Sequence, residues 1–433
     1  MSVGQESASS QQREYWSFYW PLALTGAVGV VAVQFQNGIL ARYPEAAVEL
    51  AVFALALGVY GLFNAALNFV PQLVTKFART REARRVTLRF VILLATVFAV
   101  IVELIGQTEA GATLLGVAFG IDGALRARVL AYLCLLAPIL VLGGLRLAFV
   151  GLLVQLRRTG RVTLLNAVYL GTVAGILIAG FAAGVEPTAT LVLGQAGGAL
   201  VHAILGAWLA LSAHTPAETD DDVPDFPRLA RFFFPVATTG VMFAVSRPVL
   251  YAFVARAPDG VVAIAAMRVA FDFTFFFQQA SNQFRHFFVT FGLEDLAGKR
   301  RFMARVTVGI TGLMLAVALT PLGDLFLRLG LGVSGEVHAR AVDVILVMTL
   351  LPTIIIVRNY YHGILMVTER TGGMALGGIL RVALIAALAA LLAAVGLLDH
   401  TLAAWVLLAG FGIETAVVWW QARAARPALR PAT

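Results

Sequence analysis

Long apolar runs joined by short polar links make up almost the whole chain. A helix that crosses a bilayer needs about 20 predominantly apolar residues. Twelve runs meet that length, over 16–40, 46–75, 87–107, 129–155, 162–184, 187–213, 229–256, 260–291, 304–328, 339–367, 373–397 and 400–422, several of them split by Gly or Pro. The pattern predicts an all-α polytopic membrane protein with twelve transmembrane helices. Composition agrees: 60% of the 433 residues are hydrophobic and 13% charged, with a mean hydropathy of +0.87, where a soluble domain carries about 25% charged residues. The residues before Tyr15 are polar and lack an apolar core with a cleavage site, so insertion is expected to begin with the first span.

The net charge of +8 reads as topology rather than nucleic-acid binding, because the basic residues cluster in the links. Lys76, Arg79, Arg81, Arg84, Arg85 and Arg89 follow the second run; Arg157, Arg158 and Arg161 the fourth; Arg228 and Arg231 the sixth; Lys299, Arg300, Arg301 and Arg305 the eighth. Arg370, with Arg13, Arg423, Arg426 and Arg430 at the termini, completes that side, and the other side has only Arg42, Arg126, Arg128, Arg256, Arg328 and Arg340. The expectation is a multi-pass protein of the inner or plasma membrane with both termini cytoplasmic.

The chain also repeats. "FYWPLALTG" (18–26) matches "FFFPVATTG" (232–240) at an offset of 214, and Arg146, Gly151 and "RTG" (158–160) match Arg358, Gly363 and "RTG" (370–372) at an offset of 212. Six spans per half is an even number, so the halves are expected to run parallel. The predicted division is a bundle over 1–213, an acidic solvated linker over 214–228, and a second bundle over 229–433. Transporters commonly bind substrate at such a repeat interface.

Polar residues inside the runs narrow the chemistry, since intramembrane charge is costly and must face protein or water. The first two spans offer amides, among them Gln34 and Asn37. In the eighth, Arg268, Asp272, Phe275, Gln279, Asn282 and His286 recur at three- and four-residue steps and so share one helical face, with Arg285 beside them. Six arginines lie within spans (146, 247, 268, 285, 358 and 381), against fewer acids placed away from helix ends (Glu103, Asp272, Asp343 and Glu414). Arg268 and Asp272, four apart, are expected to pair. Arg146 sits at the repeat position of Arg358, which points to a shared structural role. The excess of positive charge favours an anion with carboxylates or phosphates, whose geometry the guanidinium fork matches. Arg247 lies deepest and is followed by Pro248, which frees a backbone carbonyl about four residues earlier and can hinge the helix. Candidate substrate contacts are therefore Arg247, Arg285, Arg358, Arg268, Asn282, Gln279, Gln34 and Asn37.

Enzymatic readings find little support. No Ser-His-Asp context stands out, the six histidines lack ligand spacing, no phosphate-cradling GxxxxGK[ST] loop occurs, and a single cysteine, Cys134, excludes disulfides and cysteine-based metal sites. No enzyme activity, cofactor or metal is expected.

Several segments together carry a family resemblance: "AVEL" (47–50), "SRP" followed by "FVAR" (246–256), "FRHFFVTF" (284–291), "VRNYYHGILMVTERT" (357–371), "LRV" (380–382) and "LLAGFGIET" (407–415). The chain resembles a prokaryotic relative of the progressive ankylosis protein family, within the multidrug/oligosaccharidyl-lipid/polysaccharide exporter superfamily, over about residues 15–420. The resemblance implies a MATE-like exporter fold with a V-shaped central cavity and alternating access. It also implies efflux of pyrophosphate, nucleotide phosphates such as ATP, or citrate. It carries Glu49, Arg247, Arg285, Arg358, Arg381 and Glu414 over as functional residues; Glu49, Asp272, Arg381, Glu414 and Pro248 are candidates for coupling or gating. Gln34 and Asn37 stand where that family has acids, Arg146 has no counterpart there, and a long acidic tail is missing. The alternatives are a lipid or lipid-linked oligosaccharide flippase, and a cation-coupled multidrug antiporter that would want acids in its cavity. The expected partners are a small anionic substrate, the bilayer and a coupling ion (H+ or Na+), with no nucleic acid and a monomeric state.

Overall fold

The apolar runs fold as helices throughout. The computed structural model describes residues 3–40, 42–119, 121, 123–213, 222–257, 259–325, 327–328 and 335–425, the side chains at 3–9, 27, 29, 30, 34, 46, 47, 261, 324 and 425 excepted. Eighteen α-helices and no strand occur among them. In the first half these are α1 (Val3–Leu40), α2 (Ala46–Leu67), α3 (Val70–Phe77), α4 (Arg81–Gln107), α5 (Glu109–Phe119), α6 (Gly123–Leu136), α7 (Ile139–Gln155), α8 (Thr159–Ala182) and α9 (Pro187–Leu211). In the second they are α10 (Phe226–Val254), α11 (Gly260–Asn282), α12 (Phe284–Phe291), α13 (Leu296–Leu319), α14 (Pro321–Leu325), α15 (Gly335–Met348), α16 (Leu351–Val367), α17 (Gly372–Ala394) and α18 (His400–Ala425).

Each of the twelve expected spans contains one helix or a broken pair. Ten helices, or eleven spans counting α6–α7 with its 42° bend, are long and apolar enough to cross a membrane. The expected span over 260–291 is outside that number. It carries Arg268, Asp272 and Arg285, and it is broken at Gln283 into α11 and α12. The polar stripe read along it therefore does not lie on one helix. The other breaks have a shared cause. Pro71, Pro138 and Pro352 sit in the first turn or at the cap of α3, α7 and α16, where a missing N–H costs nothing. Pro21, Pro235 and Pro248 instead lie inside continuous helices, so α10 runs past Pro248 without a break.

The basic links are more helical than expected. α4 starts at Arg81, capped by Thr80, whose hydroxyl accepts from the Ala83 amide at 3.2 Å. α13 starts at Leu296, capped by Asp295 accepting from the Gly298 amide at 2.9 Å. Positions 214–221 of the expected acidic linker lie outside the described residues. Just beyond them the Arg228 guanidinium donates to both Asp222 oxygens and holds that exposed carboxyl below its ordinary pKa.

The chain divides into two compact units, Leu24–Phe233, and Phe234–Thr433 together with Met1–Ala23. The first turns of α1 thus group with the second half of the chain. Tyr15, Phe18 and Tyr19 are buried against Phe284, Phe287, Phe291 and Phe302, with Tyr19 stacked on Phe284 at 4.5 Å between centroids. The Tyr19 hydroxyl donates to the Ala280 carbonyl at 3.0 Å. Helix contacts recur at the repeat offset. Gly151 lets α7 approach α3, where a Cβ would sit 2.8 Å from the Pro71 carbonyl, and Gly363 lets α16 approach Phe288 of α12.

Candidate functional site

Three helices of the C-terminal unit each contribute one charged side chain to a single point. Arg358 comes from α16, Arg381 from α17 and Glu414 from α18, and they are 2%, 0% and 0% exposed. Both arginines donate to the same Glu414 oxygen, Oε2, Arg358 at 3.1 Å and Arg381 more closely. The remaining donors are spread over neighbouring helices. Arg358 Nη2 reaches Asn282 Oδ1 at 3.2 Å and Asn359 Oδ1 at 3.4 Å; Arg381 Nε reaches Ser246 Oγ at 3.2 Å. Asn359 in turn donates to the Ser281 carbonyl at 2.9 Å. The guanidiniums lie over the Phe411 ring, at 5.5 Å for Arg358 and 4.8 Å for Arg381. This ring supplies an apolar but electron-rich wall.

The electrostatics of the cluster do not balance. Two arginines share one carboxylate, and Arg285 on α12 is close enough to interact with both Arg358 and Glu414. His362 is fully buried with its Nε2 3.7 Å from Glu414 Oε1, too far for a hydrogen bond. Arg358 Nε and Glu414 Oε1 are buried with no hydrogen-bond partner. Positive charge therefore exceeds negative in an apolar interior, where an uncompensated ion is costly. Such a site is suited to a carboxylate or phosphate that adds the missing negative charge.

Arg247 lies next to this cluster on α10, one residue after Ser246. Its Nη2 donates to the Phe271 carbonyl at 3.2 Å, its Nη1 is 3.6 Å from Asp272 Oδ1, and its guanidinium stacks on Phe271 and Phe275. A small pocket lined by Arg247 with Phe243, Ser246, Gln278, Leu351 and Phe411 has room for about one water, and two of its walls, Ser246 and Phe411, also touch the cluster. The expected Arg268–Asp272 pair does not form. Arg268 is exposed and makes no ion pair among the described residues, because Asp272 turns across to Arg247 on the neighbouring helix.

The structure thus gathers Arg247, Asp272, Asn282, Arg285, Arg358, Arg381 and Glu414 in one unit. Gln279 is half-buried on α11, one turn before Asn282, and its carbonyl accepts from Gln283. Glu49 and Asn37 belong to the other unit. Glu49 is buried and ion-paired with Arg128, which also reaches Glu45 at 3.4 Å. Asn37 is half-buried, and the Gln34 side chain lies outside the described residues. Sequence reasoning missed Asn359, His362, Gln278 and Phe411. The i, i+1, i+4 spacing of Arg358, Asn359 and His362 in one helix was the available signal. Gln278 was indistinguishable from its neighbour Gln279, yet it is 1% exposed with its carbonyl oxygen unpartnered.

No family model matches the chain, and no curated protein matches it by sequence. Its fold matches solved structures end to end. A multidrug resistance MATE family transporter of the MOP superfamily, in an outward-facing conformation, superposes with a TM-score of 0.72 at 13% identity, covering 96% of each chain. A proline-to-alanine mutant of a MATE protein gives 0.76 at 12% identity and the same coverage. A MOP superfamily transporter from Pyrococcus furiosus, described as having a binding pocket of reverse polarity that suggests a different function, gives 0.71 at 14% identity over 96% of each chain. At these identities the likeness is one of fold: the chain has the fold of these MATE transporters, with ten helices among its described residues long and apolar enough to cross a membrane.

Proposed function

We propose that this protein is an alternating-access transporter that exports small polyanions bearing carboxylates or phosphates, such as pyrophosphate, nucleotide phosphates or citrate. The observation that carries this reading is the sharing of one glutamate oxygen by Arg358 and Arg381 inside a membrane-embedded helix bundle. Glu414 occupies the two forks as an internal anion, and a substrate carboxylate or phosphate competes for them with the same chemistry. Arg247, held loosely at 3.6 Å by Asp272 and lining the small pocket, is the next cation such a substrate meets. Glu414 is the natural coupling residue, since its protonation releases both arginines to the substrate. A fold shared with transporters is consistent with this activity. A cation-coupled multidrug antiporter fits the fold equally well. The buried acid of this unit, Glu414, is already held by two arginines, however, and the exposed Asp272 faces Arg247, which favours the anionic substrate.

Comparison of the metabolites released by cells with and without the protein tests the proposal. Soluble polyanions should accumulate outside expressing cells. Resistance to cationic drugs without anion release would point to the antiporter, and accumulation of neither, with altered lipid distribution, to a flippase.

A further inference from the structure

The repeat places the members of the Arg358 cluster opposite different residues in the N-terminal unit. α7, α8 and α9 correspond to α16, α17 and α18 at the offset of 212, α7 and α16 to the residue at both ends. At that offset Arg358 falls on Arg146, Arg381 on Tyr169 and Glu414 on His202. The first arginine is kept, the second is a tyrosine, and the acid is a histidine. The three N-terminal residues also meet in space. The Arg146 guanidinium lies 5.1 Å from the Tyr169 ring centre, and that ring meets the His202 ring edge-on at 6.4 Å.

What is missing is the anion. Arg146 has no ion pair among the described residues, and no described residue of this unit takes the part of Glu414. His202 is 0% exposed and both its ring nitrogens are without hydrogen-bond partners. Beside Arg146, one turn earlier on α7, Gly143 is buried, yet a Cβ there would meet nothing within 4 Å. Open space is therefore left on α7 one turn before Arg146. Tyr60 of α2 is close enough to interact with Arg146 and Tyr169.

We infer that the N-terminal unit holds a second anion site, in which Arg146, Tyr169 and His202 bind the carboxylate or phosphate of a ligand where the C-terminal unit uses its own Glu414. The duplicated framework is retained, and deletion of the internal counter-ion leaves the place to an external one. The planar guanidinium offers a fork, the histidine N–H and the tyrosine hydroxyl offer further donors, and the open space at Gly143 admits the group. The ligand is either a soluble anion or a lipid headgroup with the same chemistry.

Calorimetric titration of the purified full-length protein with citrate tests this, using Arg146→Gln and Gly143→Leu. The first removes the charge and the second fills the open space. The wild type should show an event that both variants weaken by at least about tenfold while remaining monodisperse, and that Arg146→Lys partly restores. Arg358→Gln should leave this event intact, which separates it from the site proposed above. If citrate gives no such event, Arg146-dependent retention of phosphatidylglycerol in native mass spectrometry identifies a lipid headgroup as the ligand. Arg146-independent binding of both probes overturns the inference, as does absence of binding. Loss of folding in both variants overturns it too, making Arg146 a structural pin.

Discussion

Glu414 holds two guanidiniums at one oxygen, so it is the residue whose loss the C-terminal unit should tolerate least. Removing one partner of a buried ion pair typically costs about 3–5 kcal/mol, because the other charge is left uncompensated. Glu414→Ala strands two, and it should unfold the purified protein at the upper end of that range or beyond. Glu49→Ala should cost less, since its partner Arg128 is 33% exposed and can be hydrated. Equal melting temperatures for the two variants would contradict the burial argument. At Arg247 the test is functional. Lysine keeps the charge but loses the fork that spans the Phe271 carbonyl and Asp272, so Arg247→Lys should retain part of the transport rate and Arg247→Gln almost none. Normal transport by Arg247→Gln would move the site wholly to Arg358 and Arg381.

At the scale of elements, the close approaches of α3 to α7 and of α12 to α16 both rest on a glycine. Gly363→Ala would drive a methyl into the Phe288 ring, and Gly151→Ala would press on the Pro71 carbonyl. Overpacking of this kind costs about 1–3 kcal/mol. Both alanine variants should melt lower than the wild type, whereas Gly160→Ala, where a Cβ meets nothing within 4 Å, should not. Pro248 lies inside a continuous α10, where the backbone hydrogen bond it removes gives the helix a point at which to bend in the exchange between conformations. Pro248→Ala should leave anion affinity nearly unchanged and slow turnover; unchanged turnover would remove the hinge. Most elements were legible because membrane helices announce themselves by apolar length. That some runs are split by Gly or Pro was legible, but not which: breaks fall at Pro71, Pro138 and Pro352, whereas Pro21, Pro235 and Pro248 lie inside continuous helices. The helical start of α4 was not legible, because Arg81, Glu82, Arg84 and Arg85 read as a polar link although Thr80 caps them. The short apolar α5 fell within an expected link, being too brief to span a bilayer.

For the whole molecule, the cost of intramembrane charge marked six arginines and four acids, and the family resemblance carried Arg247, Arg285, Arg358, Arg381 and Glu414 among them over as functional. Their pairing was not legible, because Glu414 meets its arginines across 56 and 33 residues of chain and three separate helices. Arg268 and Asp272 show the limit of local reasoning: four-residue spacing allowed a pair, and a neighbouring helix offered Asp272 a different one. The orientation expected from the basic links follows from the same accounting. A cysteine placed in "KFARTREARR" (76–85) should be inaccessible to an impermeant thiol reagent added outside cells, and labelling there would invert the topology. The central claim is that the buried arginines serve an anion that crosses the membrane. It is tested most directly by flux from proteoliposomes preloaded with labelled pyrophosphate or citrate. Wild-type protein should release the anion at a rate that folded Arg358→Gln protein reduces by about tenfold or more, in keeping with loss of one charge-assisted contact. Anion release equal in the two proteins, or release of a cationic dye with no anion flux from either, would contradict it.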